Sequence, residues 1–152
     1  MTADPSRPAH RIVVGVDGSV SSKAALAWAI GQAQLTGAVV EAVTAWEFPN
    51  SYGYPAPILN VDFAELATKT VTDALSEVTA GADTAQVWYR VLEGNPARVL
   101  LDESADADLL VVGSRGHGGF VEALLGSTGQ HCVHHATCPV VVIRDPTTGQ
   151  HH

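Results

Sequence analysis

Two short glycine clusters carry most of the chemistry in this sequence. Gly113-Ser114-Arg115-Gly116 follows directly on the apolar run Leu109-Leu110-Val111-Val112, and after nine further residues comes Gly126-Ser127. A short Leu and Val run that breaks into glycines reads as a buried strand leaving into a loop. There the backbone must bend sharply or approach something closely. The second cluster opens a helical stretch, so its free N–H groups and the Ser127 hydroxyl face outward at a helix N-terminus. Such an end suits an anion, most often phosphate. Each cluster also has a plainer reading, as turn glycines at Gly113 and Gly116 and as an ordinary capped helix start at Gly126-Ser127. Jointly, at this spacing and behind a strand, the phosphate reading is favoured. The sequence holds no Gly-x4-Gly-Lys-Ser/Thr, and no Gly-x-Gly-x-x-Gly follows its first strand.

A second cluster of reactive side chains lies further on, with His131, Cys132, His134 and His135 in one helical stretch. His131 and His135 are i and i+4 and share a face, a spacing that can chelate zinc or copper. Against that stand an exposed helical face and the favourable placement of histidine at a helix C-terminus. No acidic or cysteine partner at ligand spacing completes the set, so no metal site is assigned. Cys132 and Cys138 read as buried small hydrophobes before a redox pair. Trp28 is expected in the core. Trp46 ends a strand near the proposed ligand, where stacking is one reading. Tyr52 and Tyr54 sit in a proline-rich loop, as part of a lid or of a solvated or dimer-contact loop.

These groups need a scaffold, and composition fits one domain. The chain has 152 residues with 46% apolar content, enough for a real core without disulfide or metal. Residues 1–10 read as a flexible arm, residues 11–144 as a single domain and residues 145–152 as a flexible tail. No apolar run is long enough to span a bilayer, and no signal-peptide core is expected at the N-terminus. Two cysteines without framework spacing suggest a reducing, cytoplasmic setting. A net charge of -8 with only 8 Lys and Arg argues against a nucleic-acid partner. An anionic ligand must then be held by backbone dipoles and a few local cations.

The pattern along the chain alternates strand and helix. Strands are expected at Arg11 to Val16, Val39 to Trp46, Ala85 to Leu92, Leu109 to Val112 and Val140 to Ile143. Helices are expected from about Ser21 or Ser22 to a stop at Gly37, from Phe63 to Val78, from Pro96 behind the Asn95 cap to about Ala105, and from Ser127 to His135. Phe48 to Asn60 holds too many prolines for regular structure and reads as a loop that covers a site. Alternation of this kind, with near-continuous apolar strands, argues for a parallel sheet covered on both faces. In such sheets the ligand sits beyond the carboxyl ends of the strands where their order reverses. Gly15-Val16-Asp17-Gly18-Ser19 and the Gly113 loop would share that crevice if the first and fourth strands are neighbours.

These residues resemble the universal stress protein family. The resemblance rests on Val16-Asp17-Gly18-Ser19, on the glycine of Val91-Leu92-Glu93-Gly94-Asn95-Pro96, and on Gly-x2-Gly-x9-Gly-Ser closed by Cys138-Pro139-Val140-Val141-Val142-Ile143. It runs from about Arg11 to Arg144, and the long glycine signature is that of the family's ATP-binding branch. It implies an α/β fold, a five-stranded parallel sheet of order 3-2-1-4-5 with helices on both faces, Rossmann-like and similar to the adenine nucleotide alpha hydrolases. It also implies ATP or a related adenine nucleotide, with Mg bridging the phosphates, and a homodimer through the last strand, Val140–Ile143. Carried over by position, Val16, Asp17, Ser19 and the backbone at Val43 and Thr44 would hold the adenosine end. Gly113 and Gly116 would form the bend under ribose and phosphates, flanked by Arg115 and His117. Gly126, Ser127 and Thr128 would take the phosphates. Arg115, His117 and Asp17 make a thin set for phosphoryl transfer. The resemblance therefore implies a nucleotide-dependent regulatory protein of the stress response, with an unknown protein partner and at most weak ATPase activity. A slow ATP-hydrolysing or adenylate-transferring enzyme, a cAMP binder and a nucleotide-free interaction protein are the alternatives.

Overall fold

The computed structural model describes residues 10–48, 62–80, 86–114 and 126–144. Five strands form one sheet in the order β3-β2-β1-β4-β5, every neighbouring pair parallel. In chain order the elements are β1 (Arg11–Gly15), α1 (Val20–Thr36), β2 (Val39–Trp46), α2 (Phe63–Thr79), β3 (Val87–Glu93), α3 (Pro96–Glu103), β4 (Leu109–Gly113), α4 (Ser127–His135) and β5 (Val140–Ile143). The arm at residues 1–9, the tail at 145–152 and most of the proline-rich loop, with Tyr52 and Tyr54, lie outside the described residues.

Alternation along β1 divides the core in two. Ile12 and Val14 point to the face covered by α1 and α2, packing with Ala25, Leu26, Ala29, Ile30 and Ala33 of α1 and with Val71 and Ala74 of α2. Val13 points to the other face and packs with Val99 and Leu100 of α3 and Cys132 of α4. Burying a Val or Leu side chain in such a core contributes about 1.5–3 kcal/mol, so the β-branched run at β1 is the central stabilising stripe. Small residues along α1 let it lie close over the sheet, and Gly37, with φ 80°, ends it in the left-handed conformation.

The structure corrects several boundaries. α1 starts at Val20, one to two residues before the expected serines, because Ser19 is the cap and accepts from the Ser22 N–H. Ser22 instead donates its hydroxyl to the Ser19 carbonyl, at 3.0 Å. β1 ends at Gly15, although the Val16 N–H still reaches the Val43 carbonyl at 2.9 Å. β3 runs from Val87 to Glu93, and α3 stops at Glu103 where Ser104 caps it. Trp28 is not core: it keeps 36% of its surface exposed, because the inward stripe of α1 is filled by alanines. Leu66 also faces outward, at 53%.

Sequence reading missed an ionic cluster at the opposite end of the sheet from the strand tips. Arg11 and Glu41 are both buried, and Nη1 of Arg11 donates to Oε1 of Glu41 at 3.1 Å and to the Glu103 carbonyl at 3.0 Å. Its other arm reaches Asp106, while Arg90 pairs with Glu103 at 2.6 Å. Oε2 of Glu41 is buried without a hydrogen-bond partner. A charged residue in each of two otherwise apolar strands was the signal available for this pair.

Candidate functional site

The reversal of strand order falls between β1 and β4, which pair directly from Ile12 with Leu109 to Val14 with Val111. Both motif-bearing tips therefore leave the sheet side by side. A chain of contacts ties them together. The Asp17 N–H donates to the Ser22 hydroxyl at 3.3 Å, and Asp17 Oδ1 accepts from the Ser19 N–H at 2.9 Å. The first turn of α1 then packs on the β4 tip so tightly that a Cβ at Gly113 would lie 2.5 Å from Ser21 Oγ and 2.8 Å from the Ser22 N. One residue on, the Ser114 carbonyl accepts from the Gly126 N–H at 2.7 Å, and the Ser114 N–H donates to the Ile143 carbonyl at 2.8 Å. The two glycine clusters meet at one end of the sheet.

Gly113 has a packing role at the tip of β4. Its missing side chain admits the backbone of α1 at Ser21 and Ser22, so its requirement is helix packing. The buried Thr44 hydroxyl donates to the Val16 carbonyl at 2.7 Å and stitches β2 to the outgoing β1 turn, and the Val43 carbonyl is taken by the Val16 N–H. These two residues hold the shape of the Asp17 turn, whatever that turn contacts. Asp17 itself is exposed, and its carboxylate orders the turn through Ser19.

The α4 end is built differently. Gly126 caps the helix in extended backbone, φ -65° and ψ 163°, and supplies no side-chain hydrogen bond. The first intrahelical bond runs from the Gln130 N–H to the Gly126 carbonyl at 2.9 Å. The amides of Ser127, Thr128 and Gly129 thus belong to the turn that a helix cannot satisfy by itself. Ser127 is exposed and Thr128 half-buried. Arg115, Gly116 and His117 lie outside the described residues.

An aromatic group stands beside the strand tips, and two cysteines lie toward the other end of the sheet. Trp46 at the end of β2 stands edge-to-face with Phe48 at 5.2 Å, and Phe48 with Phe63 of α2 at 5.8 Å, an aromatic ladder on the α2 side. On the α4 side, Cys132 is fully buried and its thiol is pushed up to about 11, mainly by burial. Cys138, half-buried nearby, is also raised, again chiefly by burial, and both are free. Neither is poised for thiolate chemistry.

A doubly wound, all-parallel α/β domain with two motif-bearing strand tips side by side at the strand-order reversal is the class these features define. Comparison with known proteins narrows it. The universal stress protein family model matches residues 8–144, and the chain belongs to that family. It is 36% identical over 155 residues to a universal stress protein of Mycolicibacterium smegmatis, covering 93% of this chain and 50% of that one. The chain spans about half the length of the curated relatives it matches. Among solved structures, the universal stress protein UspA from Lactobacillus plantarum superposes with a TM-score of 0.69 at 26% identity, covering 89% of this chain and 97% of that one. A universal stress protein solved in complex with cAMP superposes with a TM-score of 0.67 at 25% identity, covering 90% and 97%.

Proposed function

We propose that this chain binds an adenine nucleotide, with ATP as its occupant, at the tips of β1 and β4, and acts as a homodimeric, nucleotide-dependent module in the stress response. The observation that carries the reading is the 2.7 Å bond from Gly126 to Ser114, which sets the side-chain-free start of α4 over the β4 tip. A helix N-terminus at that place offers several N–H donors and a positive dipole end to an anion in a protein whose net charge is -8. The similar structure in complex with cAMP supports an adenine nucleotide as the class of ligand.

In this reading Val16, Asp17 and Ser19 border the adenosine end, with Trp46 beside it, and Ser127 and Thr128 meet phosphate oxygens. Arg115, Gly116 and His117 join them on the strength of the family resemblance. ATP would bring Mg2+ on its phosphates, with Asp17 as the acid of the β1 turn. The dimer is assigned to β5, a four-residue edge strand with unused hydrogen-bonding groups on one side. No helix among the described residues is long and apolar enough to cross a membrane, and a cytoplasmic setting is part of the proposal. The protein is read as a binding module whose loaded state a partner recognises, with at most weak ATPase activity.

Calorimetric titration with ATP, AMP and cAMP tests the ligand. Saturable binding of ATP supports the reading, tighter binding of cAMP moves the assignment within the class, and no binding of any of the three overturns it. Sedimentation equilibrium at micromolar concentration tests the dimer, and a monomer there removes that part.

A further inference from the structure

The second half of α4 presents two imidazoles one helical turn apart. His131 and His135 stand one turn apart on the same exposed face, with ring centroids 4.9 Å apart and planes tilted by 38°. A first-row divalent ion takes imidazole nitrogen at ~2.0–2.1 Å, which puts the ion ~3.2 Å from the centre of each ring. Two rings bound to one ion at an angle between square and tetrahedral then lie ~4.5–5.2 Å apart. The observed separation falls inside that interval. His134, with its ring 6.5 Å from that of His135, projects from the neighbouring position and off this line.

We propose that His131 and His135 form an open, two-histidine site for a divalent late transition-metal ion, with Zn2+ as the probe and water completing the coordination. Imidazole nitrogen suits zinc, nickel and copper. Among the described residues no third histidine, cysteine or carboxylate is placed to close the shell. The thiol of Cys132, the one between them in sequence, is buried away from this face. The site is therefore of the exchangeable kind, unlike a closed structural zinc. Bridging i and i+4 also pins the final helical turn, so the ion should stabilise α4 against fraying. A favourable interaction of histidine with the helix dipole accounts for His134 and His135 near the C-terminus, and the i, i+4 spacing brings the His131 ring to a distance from His135 that a shared ion can span.

The test is Zn2+ calorimetry on the full chain carrying His151→Ala and His152→Ala, which removes the terminal pair as background. One saturable site is expected. His131→Ala and His135→Ala should each weaken it at least tenfold, while His134→Ala should stay within twofold of the parent. All three positions are exposed, so the variants should fold, and circular dichroism checks that they do. In a second readout, Zn2+ should raise the thermal midpoint of the parent and of His134→Ala but not of His131→Ala. Unchanged Zn2+ affinity in both His131→Ala and His135→Ala, or an equal loss in His134→Ala, overturns the site.

Discussion

Two helices begin at the same end of this sheet, and they begin in opposite ways. α1 is closed: Ser19 caps it by accepting from the Ser22 N–H, Ser22 bonds back to the Ser19 carbonyl, and Ser21 and Ser22 are buried against Gly113. α4 is open: its cap is a glycine with no side chain to offer, and its first residue, Ser127, is exposed. The difference separates two jobs that glycine-rich sequence makes look alike. One cluster lets a helix approach a strand, and the other, in the proposed function, offers its donors to the nucleotide.

The sharpest way to break this comparison is at Gly113. Gly113→Ala puts a Cβ within 2.8 Å of the backbone of Ser21 and Ser22, which cannot swing aside as a side chain tip can. A loss of about 3 kcal/mol in stability is expected, roughly 10 °C in the thermal midpoint for a domain of this size. Weakened binding in that variant would then follow from the altered fold. Ser127→Pro is the counterpart. Proline is tolerated at the first helical position, and the extended backbone of Gly126 is the conformation that precedes it comfortably. Its midpoint should stay near that of the parent while ATP affinity falls about tenfold, or ~1.4 kcal/mol, through loss of one amide and one hydroxyl. Ser19→Ala should cost about 1 kcal/mol of stability by opening the closed helix end. Denaturant titrations alongside calorimetry separate the three patterns.

The smallest effect lies at the far end of the sheet, which serves as a control. Burial, together with the neighbouring Glu103 carboxyl, pushes Glu41 above the ordinary glutamate range, with Arg11 and Arg90 opposing. A carboxyl whose folded value is raised binds more protons folded than unfolded, so it favours the fold at low pH. That contribution is lost as pH rises from the ordinary value through the raised one. Glu41→Gln should flatten this part of the stability-pH curve and leave ATP binding unchanged. A curve that keeps the same slope in the variant would remove Glu41 from the account. Arg11 retains the Glu103 carbonyl and Asp106 as partners in that variant.

Much of the architecture was legible in the chain. Gly37, Asn95 behind Pro96 and the Val-rich β4 and β5 runs mark their elements by local chemistry alone, and the structure places each where those signals point. Legibility failed where tertiary packing chose between locally equal options. Three serines, at 19, 21 and 22, can each cap a helix, and only the fold decides that Ser19 does. Trp28 looked like core because it is large and apolar, yet alanines on the inward stripe leave it at the surface. The bond from Thr44 to Val16 and the packing of α1 on Gly113 had no signal in the sequence, because each depends on segments far apart in the chain. The order of the strands came through resemblance, since periodicity says which segments are strands and not which are neighbours.

The open end of α4 is the central claim, and amide resonances report on it residue by residue. In a 1H–15N titration with ATP, Ser127, Thr128 and Gly129 should show the largest saturable shifts, together with Asp17 and Ser19 across the crevice. Saturable binding whose shifts gather elsewhere, with those three amides unmoved, would contradict it.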